Sequence, residues 1–259
     1  GMLSSISKKA IRIDDEDEAL EKLIYACEIA LTPPKGPVSI EIPINIQRKK
    51  IKRPSLLDTI NLPHICGELG DKKSLDKIEN YIKSSKRKII WVGNGAKFAT
   101  EEINLFIKMG FAVVTSTQGR GVVSETNNMC LGAFNSVPLI EEFYKTLDLM
   151  IVVGSRLRGH ETRDMSLELP KNLVQIDIDP NAKNRTYKTN QFHCGDSKKV
   201  LAELARRLAG TISVENDWIN EVSDLKKQIY LDYKNMLGAY KEFPEIIRKI
   251  LPKDGKWVR

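Results

Sequence analysis

From residue 71 onward the chain alternates short apolar runs with amphipathic helical patterns, and few folds accommodate that order. The runs "KIIWV" (88–92), "FAVV" (111–114), "DLMIVV" (148–153) and "LVQIDI" (173–178) are mostly apolar on successive residues. A strand with one wet face alternates polar and apolar residues, whereas a strand covered on both faces does not. Helical periodicity occupies 74–85, 98–109, 138–147 and 197–209. Strands separated by helices pair in parallel, because a parallel neighbour is reached only through a crossover. Residues 71–212 are therefore expected to form an α/β unit with about six mostly parallel strands and helices on both faces.

The flanks read differently. "DDEDEALEKLIYACEIALTPP" opens with acids suited to a helix N-terminus and stops at a proline pair. "GPVSIEIPINIQ" follows as a strand with Val38, Ile40 and Ile42 on one face, and the residues after it supply no partner strand. Residues 48–70, rich in basic residues with scattered Pro and Gly, read as a linker. After residue 213 come a polar helical stretch carrying Trp218, Tyr230 and Tyr233, an amphipathic helix, and a new strand beginning at "KWV".

Several function classes fall away. No apolar run approaches the roughly 18 residues that span a bilayer, and no targeting signal is visible, so no membrane partner is expected. The charge balance is +7, from 41 Lys and Arg against 34 Asp and Glu. Its densest run, "QRKKIKRP" at 47–54, holds no interleaved aromatic and sits in the linker, which favours a solvated connector over a nucleic-acid surface. Cys27, Cys66, Cys130 and Cys194 are scattered and form no C-x-x-C pair, which fits a reducing cytoplasm.

In an open parallel sheet the ligand crevice lies at the carboxyl ends of the strands. "GNGA" (93–96), "STQGRG" (116–121), "GSR" (154–156) and "DIDP" (177–180) should gather there. The candidate cofactor-binding residues are Gly93, Asn94, Gly95 and Ala96, whose amides could cradle a diphosphate; Ser116 and Thr117; Gly154, Ser155 and Arg156, the last a bidentate donor; and Asp177 and Asp179 for a ribose hydroxyl. Tight glycine turns occur without ligands as well. The full dinucleotide fingerprint is missing, with Phe98 at the third glycine and no acid closing the second strand, which argues against an ordinary NAD dehydrogenase. His64 with Cys66 and His193 with Cys194 form no complete metal set. Ser155, His160 and Asp164 share one loop without the turn that presents a nucleophilic serine. No catalytic or metal-binding residue is assigned.

Taken in order, "PPKGPVSIEIPINIQ", "VGNGA", "TSTQGRGVVSETNNMCLGAFN", "VVGSRL", "VQIDIDP", "CGDSKKVLAEL" and "IIRKILPKDGKWV" resemble the thiamine diphosphate-dependent enzymes of the acetolactate synthase, 2-oxo acid decarboxylase and oxalyl-CoA decarboxylase type. Asn45 stands where that family usually has Asp. The resemblance implies a Rossmann-like central domain akin to the NAD/FAD-binding fold of deoxyhypusine synthase. It implies residues 1–47 as the end of a pyrimidine-binding domain, 48–70 as linker, 71–212 as the central domain, and 213–259 as a linker leading into a diphosphate-binding domain.

It further implies a parent enzyme that uses thiamine diphosphate and magnesium through domains missing here, and that decarboxylates or joins 2-oxo acids. The chain's partners would be those remaining domains and, in a homo-oligomer, further copies. The chain alone would be inactive, its catalytic Glu and its diphosphate-holding stretch lying elsewhere. In the central domain the resemblance allows FAD, ADP or no ligand. Leu157, Arg158 and Gly159 replace the Phe-Asp-Asp of the flavin-binding loop, and Asn135 replaces a glycine beside the flavin, so an ADP-like nucleotide is expected over FAD. The alternative is a self-standing nucleotide-binding or regulatory module with the same fold.

Overall fold

The computed structural model describes residues 1–61, 65–252, 254 and 255. His64 and the strand expected at "KWV" lie outside them. The central sheet has five strands: β3 (Lys88–Val92), β4 (Ala112–Thr115), β5 (Leu149–Val153), β6 (Leu173–Asp177) and β7 (Gln191–Cys194). They run in the order β4-β3-β5-β6-β7, and every pairing is parallel. The α/β class with helices on both faces stands, with five strands against the six expected. The fifth, β7, follows no apolar run. It is an edge strand whose Gln191 and Phe192 are only half-buried.

The strands are apolar throughout because both faces are covered. One face packs α3 (Lys72–Ser84), α4 (Thr100–Lys108) and α6 (Ser197–Leu208) on Ile90, Val92, Ile151 and Val153. The other packs α5 (Pro138–Lys145) and α7 (Asn216–Met236) on Ile89, Trp91, Met150 and Val152. Asp71 caps α3 by accepting from the Ser74 amide, and Asp196 caps α6 by accepting from the Lys199 amide, so each helix starts where the sequence places an acid. The α7 helix begins beyond the boundary expected at 212, yet its Trp218, Val222 and Ile229 are buried in the core. It is followed by α8 (Phe243–Ile250).

A second, two-stranded sheet lies in the N-terminal segment. Its β1 (Lys9–Arg12) pairs in parallel with β2 (Val38–Glu41), and α1 (Ala19–Leu31) forms the crossover. The partner of β2 thus lies upstream of it. The strand is shorter than the sequence suggests, because Pro43 ends it and starts the short helix α2 (Ile44–Gln47). Among the described residues no helix is long and apolar enough to cross a membrane.

Candidate functional site

The chain enters β3, passes to β4 on one side, and returns to β5 on the other side of β3. At that reversal two successive connections leave in opposite directions, opening a crevice above the carboxyl ends of β3 and β5. The turns after these two strands meet directly. The Gly93 amide donates to Val153 O at 2.8 Å, and the Gly95 amide donates to Gly154 O at 2.9 Å. A Cβ on Gly93 would lie 2.2 Å from Gly154 O, and Gly154 itself has a left-handed φ of +58°. The glycines of "VGNGA" therefore approach another turn of the same protein.

This alters the expected role of residues 93–96. Three of their four amides donate within the protein, since Ala96 N also bonds Gly93 O at 3.1 Å. A diphosphate cradle built from all four is ruled out by this geometry, which leaves only the Asn94 amide uncommitted. Gly93 and Ala96 are buried, and neither lines the cleft. Thr117 does not line it either, because its amide is turned to the Glu161 carboxylate at 2.6 Å.

The remaining predicted residues come together. Asn94, Gly95, Ser116, Gly154, Ser155, Arg156, Asp177 and Asp179 all line one cleft of about 510 Å³. Sequence reasoning missed Lys8, Lys35, Gln118, Glu161, Asp196 and Ser197, which share it. Ser197 follows the helix cap Asp196, a legible signal, and its hydroxyl donates to Gly95 O at 2.8 Å. The lysines come from a segment far away in sequence and left no local trace.

The cleft's charges are unevenly committed. Each lining carboxylate already accepts a backbone amide: Glu161 from Thr117, Asp177 from Asp179, Asp179 from Asn181, and Asp196 from Lys199. The exposed guanidinium groups of Arg156 and Arg158 make no hydrogen bond or salt bridge among the described residues. What the two arginines offer is unspent donor capacity in a cleft that four carboxylates also line, and such donors suit an anionic group.

Burial pushes the Asp177 carboxyl above the usual range, against the opposing effects of the Asp179 amide and the Arg156 charge. A folded-state value above the unfolded one means that folding disfavours the ionised form. Stability from this group is present in acid and is lost as pH rises through the folded value. At pH 7 Asp177 therefore costs stability. Asp177→Asn keeps an acceptor for the Asp179 amide, so it should raise Tm at pH 7, with the gain shrinking toward acid. Thermal denaturation of both proteins from pH 4 to 8 checks this, and an unchanged or lowered Tm at pH 7 contradicts it.

Of the other candidates, the described residues His193, Ser155 and His160 make the following contacts. His193 is buried with Nδ1 2.5 Å from Ser74 Oγ and Nε2 2.6 Å from Leu69 O, which ties the segment before α3 to β7. Ser155 Oγ accepts from the Leu157 amide, and His160 Nε2 lies 3.8 Å from Glu161. Among the described residues no group of three or more His, Cys, Asp or Glu is placed to hold a metal ion.

Residues 75–204 match the family model of the thiamine pyrophosphate enzyme central domain. A protein named "Probable acetolactate synthase large subunit" from Methanocaldococcus jannaschii is 27% identical over 239 residues, covering 88% of this chain and 40% of that protein. The acetolactate synthase large subunit of Corynebacterium glutamicum is 22% identical over 271 residues, covering 98% of this chain and 42% of its own length. A solved structure described as "a putative thiamin diphosphate-dependent enzyme isolated from Mycobacterium smegmatis" superposes with a TM-score of 0.62 at 20% identity, over 82% of this chain and 40% of that one. The chain spans about two fifths of the length of the relatives it matches.

Proposed function

We propose, from the premise that the chain belongs to the thiamine pyrophosphate enzyme family and carries its central domain over residues 75–204, that it is the nucleotide-holding middle part of an acetolactate synthase-like enzyme. In this reading the parent is a lyase or transferase that decarboxylates or joins 2-oxo acids or related acyl substrates in the cytoplasm. Similarity to acetolactate synthases along most of the chain supports that assignment. In this reading thiamine diphosphate chemistry belongs to other domains of the parent, and the chain alone is expected to be inactive.

What the chain's own residues fit is a nucleotide in the cleft. The observation that carries this is the pair of guanidinium groups, Arg156 and Arg158, that line the cleft and make no hydrogen bond or salt bridge among the described residues. Arg156 and Arg158 would hold phosphate oxygens, and the half-buried Asp177 and Asp179 would accept from ribose hydroxyls. An ADP-like nucleotide fits this better than FAD. Asn135, at a position that the resemblance gives to glycine, is buried, donates to Thr115 O at 2.8 Å and accepts from Tyr144 at 3.0 Å, so its bulk is fixed in place.

Arg156→Ala should weaken ADP binding by roughly 1.5–3 kcal/mol, the usual cost of losing a charge-assisted hydrogen bond. Calorimetry with ADP and FAD on both proteins measures it. If the unsubstituted chain binds neither ligand at millimolar concentration, the cleft is a structural feature of the turns and the nucleotide reading falls.

A further inference from the structure

We propose that Glu161 closes the β4 half of the crevice, so that this site takes a single nucleotide and turns away a dinucleotide whose second half would lie over β4. The proposal rests on the nucleotide reading above and adds to it the residue that sets the ligand class.

A parallel sheet whose strand order reverses has two halves, and a dinucleotide lies across both of them. Here the halves meet between β3 and β5. Arg156, Asp177 and Asp179 line the cleft from the β5–β7 half, and Ser116 and Gln118 line it from the turn after β4. In that turn most backbone donors are already engaged. The Ser116 amide donates to Val92 O at 2.8 Å, and the Gly119 amide donates to Ser116 O at 3.0 Å and to Ser116 Oγ at 2.9 Å. Those bonds belong to the sheet and its turn. The Thr117 amide is taken by Glu161, a residue of the loop after β5 that reaches across the crevice to accept it.

Glu161 is held in place by a built loop. The residue is 7% exposed, and its own amide donates to Arg158 O at 2.9 Å. The buried Thr162 donates from Oγ1 to that same oxygen at 3.1 Å, and the Asp164 amide donates to Gly159 O at 2.7 Å. Arg163, Asp164 and Met165 follow with φ of +48°, +54° and +68°, three consecutive non-glycine residues in the left-handed region. Such a conformation is unfavourable at each residue and persists where the surrounding structure imposes it. The carboxylate is thus fixed against the Thr117 amide, where an oxygen of a ligand's second half would otherwise find its donor. The latch leaves the β5–β7 half as the place for a nucleotide.

The test is calorimetry with ADP and with NAD on the unsubstituted chain, Glu161→Ala, Glu161→Asp and Glu161→Gln. NAD is the dinucleotide chosen because it has no flavin ring, so Asn135 has no part in the outcome. The Asp variant keeps the charge but is too short to keep the latch, whereas the Gln variant keeps an acceptor for the Thr117 amide without the charge. We expect the unsubstituted chain to bind ADP about tenfold or more tighter than NAD, and that ratio to fall about fivefold or more in the Ala and Asp variants. In the Gln variant it should stay within about twofold of the unsubstituted value. If Glu161→Ala fails to fold, the conservative Asp and Gln variants decide the matter between them. An unchanged ratio in the Ala and Asp variants, a fall in Gln as large as in Asp, or equal binding of ADP and NAD by the unsubstituted chain overturns this proposal while leaving the nucleotide cleft standing. Binding of neither ligand by any of the proteins overturns both.

Discussion

Trp218→Ala is expected to destabilise the protein by roughly 3–5 kcal/mol, the range for emptying a buried tryptophan site. The indole is 7% exposed, stacks on Phe143 with centroids 5.6 Å apart and planes 10° from parallel, and donates from Nε1 to Gly110 O at 2.7 Å. Arg87 covers it, with its guanidinium carbon 4.7 Å from the ring centroid, while gripping Glu221 of the same helix through two hydrogen bonds of 2.7 and 2.6 Å. Truncation would leave a cavity beside Phe143, an unmet carbonyl at Gly110, and an arginine without its platform. For a chain of this size Tm should fall by roughly 6–20 °C. Trp218→Phe, which keeps a ring for Phe143 but not the donor, should lose markedly less. If thermal denaturation shows a shift of less than about 2 °C for the alanine variant, α7 is an appendage and not part of the core.

Gly93→Ala should cost roughly 3 kcal/mol, at or beyond the upper end for overpacking, and lower Tm by roughly 6–12 °C. The added methyl would lie 2.2 Å from Gly154 O and 2.6 Å from Ser155 Cα. Both are backbone atoms, so no side chain can rotate away, and the turns after β3 and β5 must separate. Separation breaks the bonds from Gly93 to Val153 and from Gly95 to Gly154, and it displaces Ser155 and Arg156 in the cleft wall. Asn94→Ala, at an exposed position in the same turn, is the control and should stay within about 1 °C. Equal stability of the two variants would show that the turns do not meet as described.

How much of this was legible in the sequence depended on distance along the chain. β3, β4, β5 and β6 announce themselves because a strand covered on both faces has to be apolar on consecutive residues. β7 carries "QFHC" at a sheet edge and gives no such signal, and β1 carries "KAIR" with only Ile11 half-buried. The spacing of Trp218, Val222 and Ile229 marks a buried helical stripe that was present all along. It was obscured by the polar residues around it. At the site, strand polarity was enough to bring Asn94, Ser116, Arg156 and Asp177 to one edge. The spent amides of Gly93 and Gly95 were not readable, since their acceptors lie some sixty residues away. Nor were Lys8 and Lys35, whose relation to Arg156 is wholly tertiary.

Every strand pairing among the described residues is parallel. No pair can be closed by a tight turn, so an unfolded chain has no hairpin from which to begin. Loop-closure entropy must be met before any strand contact is rewarded, and β3 gains its second neighbour only after some sixty residues have been looped out. Meanwhile "KIIWV" and "LMIVV", covered on both faces in the folded protein, stay open to strands of other chains. Renaturation of this protein should accordingly be slow, and its yield should fall as protein concentration rises.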